Sequence, residues 1–159
     1  MNWSKMRAQS AMEYLMTYGW AMLIIAVVLS ALYVLGLFSP NTYVSSQCIF
    51  PAQLSCISSS LTTTGLLSIN LEQAFTSPIN VTAIGCNTNA TIAYMTNEKT
   101  QIAIGGNATF TGIQCYTGSV PYSNKLGSLY TGYIILNYTN TQTGFPQTAI
   151  ATLLQKVTS

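Results

Sequence analysis

The pattern of hydrophobic and polar positions separates the chain into a long apolar stretch and a largely polar remainder. No charged residue occurs from Tyr14 to Phe38, and apolar side chains fall on every side of a helix drawn through these residues. Such a helix would span about 37 Å, whereas the hydrocarbon core of a bilayer is about 30 Å thick. The pattern therefore predicts one membrane-spanning helix near the N-terminus.

The basic residues around the apolar stretch predict its orientation. Lys5 and Arg7 precede the stretch, and no lysine or arginine follows until Lys99. Because positively charged flanks stay on the cytoplasmic side, the N-terminus is predicted to be cytoplasmic. Residues 39–159 are then predicted to lie outside the cell.

The remainder of the chain predicts a small β domain. Residues 39–64 are rich in serine and threonine and are predicted to form an irregular connector. In residues 65–159, short β-branched and aromatic runs alternate with asparagine, glycine and proline, which is typical of strands separated by turns. The predicted fold class is α+β: a long hydrophobic helix followed by a small all-β sandwich of immunoglobulin-like type. The predicted strands are 65–71, 79–85, 90–95, 100–104, 107–113, 129–138 and 147–157.

The sixth predicted strand, 129–138, has a clear two-residue period. Alternation places one set of its residues on a single face, which we expect to be the core face. Glu98-Lys99, between two predicted strands, is expected to be a turn. The residues predicted to share the face are Tyr130, Gly132, Ile134, Leu136 and Tyr138.

The composition excludes much chemistry. Charged residues are 5% of the chain, against about 25% in an average soluble protein, and there is no histidine and no aspartate. A Ser-His-Asp triad, a histidine-ligated metal and an aspartate-built calcium loop all require these residues. The net charge of +2 is small and dispersed. The sequence therefore predicts a protein that is not an enzyme, with no cofactor, no metal site and no nucleic-acid partner.

Four cysteines follow the apolar stretch and predict two disulfides. An even number of cysteines in a small extracellular domain is typical of a disulfide framework, and the close C-x-x-C pairs of a zinc site are missing. We favour Cys48–Cys56, which closes a short loop, and Cys86–Cys115, which closes a longer one. All three possible pairings remain open at this point.

Four Asn-x-Ser/Thr sequons lie in the part predicted to be extracellular. Given the asparagine, serine and threonine content, about three would occur by chance, so the number is a weak signal. Glycans would nevertheless solubilise a surface with so few charges. The predicted N-glycosylation sites are Asn80, Asn89, Asn107 and Asn137.

The order of signals at the N-terminus resembles a known family. A short basic leader, the sequence Gln9-Ser10-Ala11-Met12-Glu13 and then an uninterrupted apolar helix resemble the class III signal peptides of archaeal type IV pilins. The resemblance implies that a dedicated peptidase cuts between Ala8 and Gln9, on the cytoplasmic side. Residues 1–8 would then be a leader peptide and 9–38 a transmembrane and filament-core helix. Residues 39–64 would connect this helix to an extracellular β-sandwich domain, 65–159.

The resemblance also implies a role for Glu13, which would become the fifth residue of the cut chain. The α-amine freed at Gln9 of one subunit would pair with Glu13 of a neighbour, because either charge buried alone would cost several kcal/mol. An alternative reading places Glu13 in the first exposed helical turn, where it complements the helix dipole.

The resemblance thus implies a structural subunit of an extracellular archaeal type IV pilus that polymerises through its N-terminal helix and serves adhesion. Its partners would be copies of itself, the prepilin peptidase, the pilus assembly machinery and, before assembly, the membrane. The alternative is a single-pass membrane-anchored surface binding protein, or a minor pilin, that does not polymerise.

Overall fold

The computed structural model describes residues 3–38, 44–91 and 94–158, with the backbone alone for residues 3–11 and 15. The chain divides into two compact units, Met1–Val44 and Ser45–Ser159. The first unit is helical and the second is built from strands, so the coarse prediction of an α+β protein is confirmed.

The first unit consists of helix α1, Trp3–Val34, followed by a turn through residues 35–38. Its segment Met12–Val34 has a mean hydropathy of 2.1 and, by length and composition, is long and apolar enough to cross a membrane. Gly36 ends the helix in a left-handed conformation (φ +72°). The amides of Gly36 and Leu37 donate to the carbonyls of Tyr33 and Leu32, the pattern of a Schellman cap.

The second unit contains nine strands in its described part, joined in one strongly curved sheet. The sheet order is β1-β9-β8-β4-β6-β3-β2, with β5 paired to β4 and β7 paired to β6. The named strand pairs are antiparallel except β4 and β6, which run parallel at Cys86 and Cys115. The strands are β1 Gln47–Ile49, β2 Leu54–Leu61, β3 Leu66–Gln73, β4 Ile79–Asn87, β5 Met95–Ile102, β6 Asn107–Thr117, β7 Val120–Pro121, β8 Leu129–Asn140 and β9 Pro146–Lys156.

The two ends of this sheet meet, so that it is nearly closed. The disulfide between Cys48 on β1 and Cys56 on β2 joins the two terminal strands of the sheet order, with their Cα atoms 5.9 Å apart. Leu61 of β2 forms an isolated parallel bridge with Val157, just beyond β9. Ser59 Oγ also donates to Gln155 Oε1 at 2.6 Å, a further link between β2 and β9. Closure leaves few open strand edges, which protects a β domain from edge-to-edge association.

One continuous hydrophobic core fills the curved sheet and includes residues from β2, β3, β4, β6, β8 and β9. Strand β8 presents its predicted face to this core. The alternate positions Tyr130, Gly132, Ile134, Leu136 and Tyr138 are all buried, so the predicted two-residue period of this strand is confirmed.

The prediction that residues 39–64 form an irregular connector is wrong for residues 47–49 and 54–61, which form strands β1 and β2. Serines fill the exposed side of β2 at Ser55, Ser58 and Ser60, while Leu54 and Leu61 are buried. A bulge between Cys56 and Ser58 interrupts the alternation, so the two-residue period is hard to see in the sequence. Residues 39–43 of the predicted connector lie outside the described residues.

The predicted strands 90–95 and 100–104 are also wrong in their bounds. Residues 88–91 form a turn, residues 92–93 lie outside the described residues, and one strand, β5, runs from Met95 to Ile102. Glu98-Lys99, predicted to be a turn, lies inside β5. This strand pairs with β4 alone, and charged residues are common on such edge strands because they discourage further pairing.

Candidate assembly and modification sites

Helix α1 exposes most of its described apolar surface within the first unit. From Met12 to Val34, its exposed large apolar side chains keep between 45% and 84% of their surface accessible, and Leu32 is half-buried. Because burial of apolar surface is the main favourable term in association, such a helix requires lipid or other helices around it. The helix is therefore the strongest candidate for an assembly surface in the first unit.

Glu13 is the single acidic residue of this helix and lies at the start of its apolar segment. Its side chain is exposed, between the exposed side chains of Met12 and Met16. Thr17 Oγ1 donates to the backbone carbonyl of Glu13, one turn earlier. The carboxylate itself is thus available to a group from another molecule.

The predicted cleavage bond Ala8–Gln9 lies within the continuous helix α1. Its side chains lie outside the described residues. Farther along the helix, Ser30 Oγ donates to the carbonyl of Ala26 at 2.8 Å, which satisfies this hydroxyl without a partner helix.

Both favoured disulfides are present in the second unit. Cys86 and Cys115 face each other on the parallel strands β4 and β6, are fully buried, and have Cα atoms 4.4 Å apart. Cys48 and Cys56 join β1 to β2. The structure therefore confirms this pairing and removes the other two that the sequence left open.

Three of the four predicted glycosylation sites present an exposed asparagine. Asn80 lies on β4 and Asn107 begins β6. Asn89 lies in the turn after β4, where the amide and the hydroxyl of Thr91 both donate to Asn89 Oδ1, at 3.0 and 2.8 Å. This is an Asx turn, so the asparagine and the threonine of this sequon are already hydrogen-bonded to each other.

Asn137 differs from the other three sites. It lies inside β8, is half-buried, and its Oδ1 accepts a hydrogen bond from Thr148 Oγ1 on β9 at 2.8 Å. It also pairs with Ala83 of β4, whereas Asn80 pairs with Thr139 of β8, so the two sequons are close neighbours on adjacent strands. We therefore expect Asn137 to be the least accessible of the four asparagines.

Two tyrosines of the second unit, Tyr130 and Tyr138, are buried. Tyr130 is buried edge-on against Tyr122, with ring centroids 4.7 Å apart, and its hydroxyl donates to the carbonyl of Tyr116 at 3.0 Å. Burial, and secondarily Tyr122, raise the pKa of Tyr130 above its usual value of 10. Tyr138 donates to Gln147 Oε1 at 2.8 Å, and burial raises its pKa as well. These two hydroxyls stabilise the domain and do not contribute to a binding surface.

A groove on the outer face of the sheet was missed by the sequence analysis. Ile49 of β1, Thr152 of β9 and Tyr133 of β8 are direct neighbours across three strands. With Leu154 and Thr88 they line a groove of about 310 Å³, here called the β1–β9–β8 groove, whose lining includes no charged residue. No local pattern in the sequence indicates this groove, because β1 lies within the predicted connector.

Among the described residues, no group of three or more histidine, cysteine, aspartate or glutamate side chains is placed to hold a metal ion. Comparison with known proteins finds no family model and no curated protein that matches this chain.

Proposed function

We propose that this protein is a structural subunit of an extracellular archaeal type IV pilus, polymerising through helix α1 and serving adhesion. The observation that carries the proposal is the largely exposed apolar surface of α1 from Met12 to Val34, with one carboxylate at its entrance. A simple membrane anchor gains nothing from that carboxylate, whereas a helix that leaves lipid to pack against copies of itself has a use for it.

The proposed role of Glu13 follows from the cost of isolated charge. Before assembly, Glu13 lies at the entrance of the apolar segment, where its side chain can reach the membrane interface and the penalty is small. In a bundle of helices, Glu13 and the amine freed at Gln9 of a neighbouring subunit would lie in an apolar environment. Either group alone there costs several kcal/mol, so their pairing sets the axial register of adjacent subunits.

The second unit would coat the filament as a small immunoglobulin-like sandwich. Its single core and two disulfides suit an oxidising extracellular environment. Glycans on exposed asparagines would supply solubility that the few charges do not. The leader would be removed by a prepilin peptidase, and the assembly machinery would lift the subunit from the membrane.

The decisive test replaces Glu13 by glutamine. If the charge sets the register, Glu13→Gln abolishes filaments, while subunit abundance in the membrane stays normal. Glu72→Gln, which removes a carboxylate from the second unit, is the matched control and leaves filament yield unchanged. Electron microscopy of sheared material measures filament yield, and mass spectrometry of the subunit tests for a Gln9 N-terminus. Normal yield from Glu13→Gln would refute the proposed role of this residue.

One observation favours the alternative of an anchored surface protein, or minor pilin, that does not polymerise. The Ala8–Gln9 bond lies inside a continuous helix, and a peptidase would have to unwind this region to reach it. The alternative requires that no filaments form, and for an uncut anchor the subunit also keeps residues 1–8. The same two measurements therefore separate the two functions.

A further inference from the structure

We infer that the β1–β9–β8 groove receives Phe145, at the tip of the β8–β9 hairpin, from a second copy of this chain. The inference deepens the proposed function and rests on it, because it identifies the contact between neighbouring β domains in the polymer. The contact is made by the second unit, and the packing of helix α1 supplies the high effective concentration that it needs.

The groove has the chemistry of the centre of a protein interface. Ile49 is 59% exposed at its wall, beside Thr152 and the half-buried Tyr133. Interface centres are depleted in charged residues, as this lining is, and the lining also includes the aromatic side chain of Tyr133. An uncharged groove also accepts an apolar side chain without leaving a charge desolvated.

Phe145 has the matching properties. It follows the β8–β9 turn, between Gly144 and Pro146, and 70% of its surface is exposed. No other aromatic side chain in the described part of the second unit is as exposed. Burying a phenylalanine side chain gives one of the larger gains in apolar burial, so this tip is a strong candidate for insertion into a partner.

The placement of the two features on one hairpin points to a second copy as the partner. Tyr133 and Thr152 lie at one end of the β8–β9 hairpin, and Phe145 lies at the other. The seven residues from Phe145 to Thr152 correspond to about 23 Å along a strand, so a molecule cannot fill its own groove. A groove at one end and an apolar knob at the other form a heterologous contact, which repeats head to tail and generates open helical arrays.

The size of the contact fits its place in a polymer. A groove across three strands and a few residues covers on the order of 200–300 Å². A stable independent interface buries about 800 Å² on each partner. The contact is thus too small to join two free domains, and it suits domains that packed helices already hold together at high effective concentration.

Site-specific photo-cross-linking of the full chain tests the contact. Phe145→p-benzoylphenylalanine is irradiated in membranes and in sheared filaments, and cross-linked peptides are mapped by mass spectrometry. We expect intermolecular cross-links to peptides containing residues 47–49, 131–133 or 152–154. Leu126→p-benzoylphenylalanine, at an apolar position of similar exposure on another loop, should give none of these.

A second substitution makes the result specific. Thr152→Lys places a charge in the groove and should lower the cross-link yield from position 145 about tenfold. Thr111→Lys, at an exposed threonine on strand β6 outside the groove, should leave that yield unchanged. Intact disulfides on a non-reducing gel identify folded variants. Cross-links that map elsewhere, or that Thr152→Lys does not weaken, would overturn the inference.

Electron microscopy of the same samples separates this inference from the proposed function. If filaments form but position 145 gives no cross-links to the groove, the inferred contact is wrong and the proposed polymer is supported. Cross-links to the groove without filaments support the contact and count against the polymer.

Discussion

The helix and the β domain differ in how much of their apolar side chains they expose. In α1 most of the described large apolar side chains keep 45–84% of their surface exposed, whereas the core residues of the second unit keep 9% or less. The domain closes its own sheet and fills it with its own side chains. The helix has no such partner within the described part of its unit and depends on lipid or other molecules.

The contrast shows where stability and assembly are encoded. Most of the contacts that hold the domain join residues far apart in sequence, such as Leu61 and Val157. The contacts within the helix are local, such as Ser30 with Ala26 four residues earlier. Changes in the domain should therefore alter its folding, and changes in the helix should alter association. Four predictions, from the largest expected effect to the smallest, test this contrast.

Replacing a buried or an exposed leucine by alanine should give the largest difference in the free energy of unfolding of the second unit. Leu136 is fully buried on β8, and Leu29 is about half exposed on α1. Leu136→Ala leaves a cavity and should lower the free energy of unfolding of the second unit by about 4 kcal/mol. Leu29→Ala should leave it unchanged. Urea denaturation, monitored by hydrogen exchange in β8 and β9, measures the free energy of unfolding of both variants. Equal losses of this free energy in the two variants would contradict the contrast between the units.

The disulfides should stabilise the domain unequally. The double variant Cys86→Ala/Cys115→Ala removes a disulfide between residues 29 positions apart in sequence. The Cys48–Cys56 disulfide joins residues 8 positions apart. On the loop-entropy account, these losses are about 3.5 and 2.5 kcal/mol of unfolding free energy. Removing the second pair should also accelerate hydrogen exchange in β1, which pairs with β9 over only three residues. Uniform exchange throughout the domain would show that this disulfide does not close the sheet.

Because of Tyr130, we expect the stability of the second unit to depend on pH. Because the pKa of Tyr130 is raised in the folded state, the folded domain retains the proton where the unfolded chain loses it. The resulting stability is present below pH 10 and is lost as pH rises above 10. Tyr130→Phe should cost about 1 kcal/mol at pH 7, through the lost hydrogen bond to Tyr116. Its stability should then fall less steeply above pH 10, as urea titrations would show.

The smallest effect is expected in the helix. Ser30→Ala removes a hydrogen bond to the carbonyl of Ala26 that serves no partner within the unit. Since alanine has the higher helix propensity, helicity in detergent should stay the same or rise slightly, by a few tenths of a kcal/mol. Circular dichroism measures this change. A marked loss of helicity would show that the hydroxyl is structurally required.

The features that depend on local pattern were predictable. The apolar stretch predicted α1, and the alternation in 129–138 predicted the buried face of β8. The short loop between Cys48 and Cys56 favoured the pairing that is present. Each of these signals lies within about 25 residues of contiguous sequence, so one physical rule sufficed for each.

The features that depend on distant partners were not predictable. Strand β2 is serine-rich and bulged, and its strand conformation depends on pairing with β3 and on covering a core built elsewhere. Glu98-Lys99 is typical of a turn by composition, yet it lies inside β5, at an irregularity between Asn97 and Thr100, which pair with Ala83 and Val81 of β4. The β1–β9–β8 groove requires three strands that the order of the sequence does not place together.

The sequence by itself determined that this protein has a membrane-length apolar helix, few charges and a disulfide-bearing β domain, because composition and short-range periodicity express these properties directly. The tertiary structure alone decided how the sheet closes, which asparagines are accessible and where an uncharged groove forms. These properties depend on the register between strands far apart in sequence, such as β1 and β9, where Gln47 pairs with Leu154, and no local pattern specifies that register.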